Sequence, residues 1–101
     1  MNKYLVGKID DFAEGSKKRF VAGEIALMIA KVEGSFFAVL DTCTHKQASL
    51  SAGELQGFSI ECPWHGAKFD LRTGEVKALP AAMPLKTFKT EIIGQELWVM
   101  V

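Results

Sequence analysis

The sequence predicts an all-β fold, a small antiparallel sandwich or barrel, on three observations. Short apolar runs recur along the chain with turn residues between them, the spacing of a sandwich or barrel rather than of alternating strands and helices. Two of the breaks, Glu33-Gly34-Ser35 and Gly94-Gln95, carry the glycine that suits a tight hairpin, because glycine adopts positive φ without steric cost. No stretch keeps a convincing helical period over three turns.

Taken in order, Tyr4–Ile9 has bulky apolar residues suited to a sheet edge, and Ile9–Ser16 has room for one short helical turn. Arg19–Ala22 is a short strand. Ile25–Val32 and Phe36–Leu40 are the arms of the first hairpin. Phe58–Glu61 and Lys68–Leu71 flank a compact loop, and Arg72-Thr73-Gly74-Glu75 turns the chain into Val76–Leu79. The segment Pro80 to Pro84 breaks the strands as an irregular loop, since proline has no N–H to give to a ladder. Phe88–Ile93 and Leu97–Val101 form the second hairpin, with period-two alternation in parts of both arms.

The chain has 101 residues, the size of one domain. Hydrophobic residues make up 49% of it, enough for a packed core. A chain this small still buries a limited share of its surface, so a bound metal centre would add to its stability. Lys+Arg and Asp+Glu are both 12, a balance that argues against a protein built to coat nucleic acid. The longest apolar run, Ile25–Ala30, is too short to span a bilayer, and Met1–Asp11 carries charges early and no apolar signal segment. The expected setting is cytoplasmic, where thiols stay reduced and paired cysteines tend to mean metal or redox chemistry.

The two cysteines and two histidines fall in two matched clusters, Cys43-Thr44-His45 and Cys62-Pro63-Trp64-His65, separated by residues 46–61. Each cluster offers one thiolate and one imidazole in a loop just after a strand. Several readings compete. Cysteine often behaves as a small core hydrophobe, so chance is one of them. A Cys43–Cys62 disulfide is another, disfavoured in a reducing compartment and silent about the histidines. A structural zinc site is the third, but zinc fingers usually put both cysteines in one knuckle and both histidines together. Mixed knuckles suit a two-metal centre in which one iron takes both thiolates and the other both imidazoles.

Cys43-x-His45, the gap, and Cys62-x-x-His65-Gly66 resemble the Rieske [2Fe–2S] pattern in full. Over roughly residues 36–84 the chain is similar to the soluble Rieske ferredoxins of ring-hydroxylating dioxygenase systems. The similar stretches are Phe37-Ala-Val-Leu-Asp41, Ala48-Ser-Leu50, Cys62 through Asp70, Thr73-Gly-Glu75 and the two prolines Pro80 and Pro84. The resemblance implies a Rieske fold over residues 1–101, with a cluster-binding subdomain inserted at about 41–80. It implies one [2Fe–2S] cluster: Cys43 and Cys62 on the buried iron, His45 and His65 on the outer one, and the loop from Pro80 to Pro84 as its cover. Respiratory members carry an extra cysteine in each knuckle; Ala48 and Trp64 stand in those neighbourhoods here.

The implied function is one-electron transfer, from a flavin-containing NAD(P)H reductase to a terminal oxygenase through transient encounters, with no substrate conversion by the chain itself. Two alternatives stay open: a small Rieske-fold subunit of a nitrite-reductase-type complex, and a zinc-stabilised binding module. Trp64 either packs beneath the cluster loop or belongs to the docking patch, and Lys46 is a solvated charge or a docking contact. Lys17-Lys18-Arg19 is expected to be a solvated turn or strand entry, or else to meet an acidic partner. Asp10, Asp11 and Glu14 show no spacing that suggests acid–base catalysis. High-potential relatives place a serine directly after the glycine of the second knuckle and a tyrosine two residues later. This chain has Ala67 and Phe69 there, so its potential is expected toward the low end of the Rieske range.

Overall fold

The longest apolar run of the sequence lies in strand β3 (Ile25–Val32), and its lack of alternation follows from its place in the fold. The computed structural model describes residues 2–41, 49–63, 66–78 and 84–101. Met28, Ala30 and Val32 pack into one core with Leu50, Ile60, Cys62, Ala67, Phe69, Leu71 and Leu85. Leu27 and Ile29 pack into another with Phe12, Leu97 and Val99. Neighbouring strand residues face opposite ways, so a strand buried on both sides has no polar face to alternate with.

Six strands form the base. β2 (Lys17–Ala22), β3 and β4 (Ser35–Leu40) are an antiparallel meander, and β4 pairs β9 (Thr87–Ile93) through Ala38↔Phe88 and Val39↔Thr87. β9 pairs β10 (Glu96–Met100), which pairs β1 (Lys3–Lys8), giving the order β1-β10-β9-β4-β3-β2. In sequence, a second sheet of four short strands is inserted between β4 and β9: β5 (Glu54–Gln56), β6 (Ser59–Glu61), β7 (Lys68–Asp70) and β8 (Val76–Ala78). The all-β expectation holds, as a near-barrel sheet carrying a four-stranded subdomain.

At the β3–β4 turn Glu33 and Gly34 both take positive φ, 50° and 78°, the geometry of a two-residue hairpin. Glu14 staples this turn by accepting the N–H groups of Glu33 (2.6 Å) and Gly34 (3.0 Å). These donors, Gly34 first, hold the Glu14 carboxyl below its ordinary pKa. A 3-10 turn at Ile9–Asp11 falls in the segment expected to hold one helical turn.

The boundaries depart from expectation in a few places. β2 starts at Lys17, two residues before the predicted strand, because Lys17 and Lys18 continue the ladder to Ala30 and Ile29. Phe58 and Leu71 sit in turns that end the short strands, while Leu79 lies outside the described residues. β5 and a 3-10 turn at Leu50–Ala52 lie beyond the predicted elements. Glu54-Leu55-Gln56 has one apolar residue, and it becomes a strand by pairing, Leu55 opposite Ile60.

Candidate metal centre

The second Cys/His segment begins at Cys62, which follows β6. Ile60 pairs Phe69 and Glu61 pairs Lys68. The Cys62 N–H then donates to the Ala67 carbonyl at 2.7 Å, closing the loop at its base. Gly66, just inside that closure, has φ +72°, a conformation that costs other residues energy. Cys62 is 1% exposed, with Ala67 and Phe69 at 0% in the same core, while Pro63 is exposed. The thiol is therefore placed inward on an apolar wall, at the start of a loop whose next residue meets solvent.

The first segment leaves from the end of β4. There the Asp41 N–H donates to Ala26 O at 3.0 Å, extending the sheet by one bond. The Asp41 side chain, 1% exposed, accepts from Ser49 Oγ (2.5 Å), Ser51 N (2.6 Å) and Ser51 Oγ (3.1 Å), and pairs with Arg19 Nε at 3.2 Å. Lys17 Nζ donates to Ser51 O at 2.5 Å. Lys17-Lys18-Arg19 is the entry to β2, with Lys18 and Arg19 exposed, as expected; beyond that expectation, Lys17 and Arg19 are tied to the chain on either side of residues 42–48. The sequence assigned no shared role to Asp41, Ser49, Ser51 and Arg19. The available signal was an acidic residue ending an otherwise apolar strand, with two serines shortly after.

The third approach is the return from β8. Gly74 N donates to Asp70 O (2.7 Å), Leu71 N to Phe58 O (2.7 Å) and Leu85 N to Gly74 O (2.6 Å), so the 70–75 turn holds the chain that follows residues 79–83. Asp70, 5% exposed, accepts from Arg72 N, Nε and NH2 at 2.8, 3.1 and 2.9 Å. The Arg72 side chain foremost holds the Asp70 carboxyl below its ordinary pKa, against the opposing effect of burial. Arg72 also lies over the Phe58 ring, 4.3 Å from its centroid.

These three approaches converge. Leu50, Cys62, Ala67 and Leu85, which follow or flank the segments 42–48, 64–65 and 79–83, share one core cluster. Of the expected ligands only Cys62 is among the described residues; Cys43, His45 and His65 lie outside them, as do Lys46, Ala48, Trp64 and residues 80–83, with Pro84 described and exposed. Among the described residues no group of three or more His, Cys, Asp or Glu side chains is placed to hold a metal ion. The surroundings of Cys62 fit a cluster whose thiolate side faces the core: a donor shielded from water, against an apolar wall, next to the exposed Pro63. Among the described residues no helix is long and apolar enough to cross a membrane.

Residues 2–89 match the Rieske [2Fe-2S] domain family. The chain is 44% identical over 89 residues to the ferredoxin component of biphenyl 2,3-dioxygenase from Rhodococcus jostii (strain RHA1), covering 88% of this chain and 83% of that protein. Its structure is similar to the ferredoxin of carbazole 1,9a-dioxygenase from Nocardioides aromaticivorans IC177, with TM-score 0.93 and 29% identity over 98% of this chain and 97% of that one. It is also similar to a chain in the complex of reduced oxygenase and oxidized ferredoxin in carbazole 1,9a-dioxygenase, with TM-score 0.91 and 38% identity, covering 96% and 91%. The chain belongs to the Rieske [2Fe–2S] family, among the ferredoxin components of aromatic ring-hydroxylating dioxygenase systems, proteins that carry one Rieske-type cluster and transfer electrons without converting a substrate themselves.

Proposed function

We propose that this chain, as one domain over residues 1–101 with its cluster-binding subdomain at about 41–80, carries single electrons in the cytoplasm from a flavoprotein NAD(P)H reductase to a terminal oxygenase. Cys43 and Cys62 would hold the inner iron and His45 and His65 the outer one. The observation that carries the assignment is the convergence of the three flanks, Leu50, Cys62 with Ala67, and Leu85, on a single core. The bound cluster supplies a one-electron store. Cys62 presents its thiolate from the dry side, and Pro63, next along the chain, is exposed. On this reading the two imidazoles form the port through which electrons pass.

The relatives described above are dioxygenase ferredoxins, and the complex of ferredoxin with oxygenase supports an oxygenase as this chain's acceptor. They favour this reading over a nitrite-reductase-type subunit, and the family's [2Fe–2S] cluster displaces a zinc module. Electron-transfer encounters are small and short-lived, and the zero formal net charge leaves steering to local patches rather than to a whole-molecule field. No nucleic acid or membrane enters the proposal.

The test is electron paramagnetic resonance of the reduced protein. The wild type is expected to give the low average g value of a Rieske centre, and His45→Ala and His65→Ala each to abolish that signal. Retention of the signal in both variants would overturn the ligand assignment.

A further inference from the structure

Both ligand segments are tied at their bases. The second is tied by backbone pairing, Cys62 N to Ala67 O at 2.7 Å, continuous with the β6–β7 ladder. Between the described ends of the first, Leu50 N donates to Asp41 O at 3.4 Å. Side chains join the same ends. The Asp41 carboxylate lies before residues 42–48, and the Ser49 and Ser51 hydroxyls and the Ser51 N–H that it accepts lie after them. Arg19 meets the same carboxylate from β2, and Lys17 of that strand binds Ser51 O.

Burying a carboxylate is costly unless its oxygens are satisfied, and a buried ion pair is weak evidence for stability, since an apolar replacement of similar volume is often as stable. What such a network does supply is a fixed relation between the groups it joins. We propose that Asp41 is a positioning residue for the cluster: with Ser49, Ser51 and Arg19 it holds the two ends of segment 42–48 in the relation that lets Cys43 and His45 ligate together. This rests on the ligand assignment proposed above. Preorganised ends spare the cluster the cost of ordering that segment.

The holoprotein and three variants test it: Asp41→Ala, Asp41→Asn, and Ser49→Ala with Ser51→Ala. Loss of the visible absorption is followed during challenge with a chelator, together with the g values and midpoint potential of the loaded protein and its melting temperature. Asp41→Ala and the double serine variant are expected to release iron about tenfold faster and to shift the g values of the remaining cluster. Asp41→Asn keeps an acceptor for Ser51 N–H and is expected to fall between them and the wild type. Wild-type release with unshifted g values and potential overturns the proposal. So does a lowered melting temperature alone, which would make Asp41 a residue of general stability. If Asp41→Ala does not fold, the double serine variant, which leaves the Arg19–Asp41 pair in place, decides. A wild-type protein without a Rieske spectrum overturns the ligand assignment and this inference together, whereas a normal wild-type spectrum with unchanged variants overturns this inference alone.

Discussion

Ala67 and Phe69 are both fully buried in the core that holds Cys62, and neither has a hydroxyl to offer a cluster sulfur. A hydrogen bond to sulfur favours the reduced state, because reduction adds negative charge. A neutral bond contributes about 1 kcal/mol net, and about 1.4 kcal/mol corresponds to 59 mV for one electron, so Ala67→Ser is expected to raise the potential by ~40 mV. Redox titration followed by circular dichroism measures this, and an unchanged potential would mean that the hydroxyl does not reach sulfur. Phe69→Tyr is the harsher change, since an unpaired phenol in a site this closed would cost about 1–3 kcal/mol. Asp70 gives a prediction in pH. Its folded pKa is lowered by Arg72, so the fold favours the ionised form. The stabilisation is present above the unfolded value near about 4 and is lost as pH falls through the folded value. Asp70→Asn should therefore reduce the acid slope of the melting temperature without removing it, because the Glu14 carboxyl, lowered in the same direction, remains. An unchanged slope would show that Asp70 does not contribute. At this scale the sequence pointed to Cys43, His45, Cys62 and His65, since thiolates and imidazoles at fixed spacing have few other uses; of these Cys62 alone lies among the described residues. The sequence was silent on Asp41, whose role depends on Ser49, Ser51 and Arg19 meeting it in space.

The turn that ends β7 is held by Gly74. A Cβ built there would stand 1.9 Å from Leu85 O, and φ is +80°, so both the backbone and the neighbouring carbonyl exclude other side chains. Gly74→Ala is expected to cost about 3 kcal/mol, seen as a lower denaturation midpoint. Because Leu85 follows residues 79–83, it should also speed cluster loss to a chelator. A wild-type midpoint would show that the Gly74–Leu85 approach is not needed. The legible elements were those whose pattern is local: the β3–β4 and β9–β10 hairpins are announced by glycine between apolar runs. β5 was not legible, because Leu55 alone marks it and its strand character comes from β6. Lys17 and Lys18, expected as a solvated turn or strand entry, open β2 at an edge of the sheet, where lysines join a ladder and discourage further pairing.

At the scale of the whole molecule, the two cores lie on opposite faces of β3. The core containing Cys62 draws on the small sheet and one face of β3, and the other core on the opposite face of β3 with β10 and Phe12. Removing the cluster is expected to lower amide hydrogen-exchange protection first in β5 to β8, while β1, β9 and β10 keep theirs; uniform loss would show that the cores open together. The sequence indicated an all-β chain with an insertion, and the insertion was inferred from family likeness rather than from pattern. Local periodicity does not state which strands are neighbours, so the β4–β9 pairing that rejoins the base across the subdomain was not readable. That rejoining leaves β1 beside β10, with Asn2 N to Val101 O at 2.8 Å and Val101 N to Asn2 O at 2.9 Å. A tether attached to either end would therefore leave from the same edge of the base sheet. A redox partner fused at one end or the other would swing about nearly the same pivot, so the length of the linker, rather than the choice of end, would govern its reach to the proposed electron port.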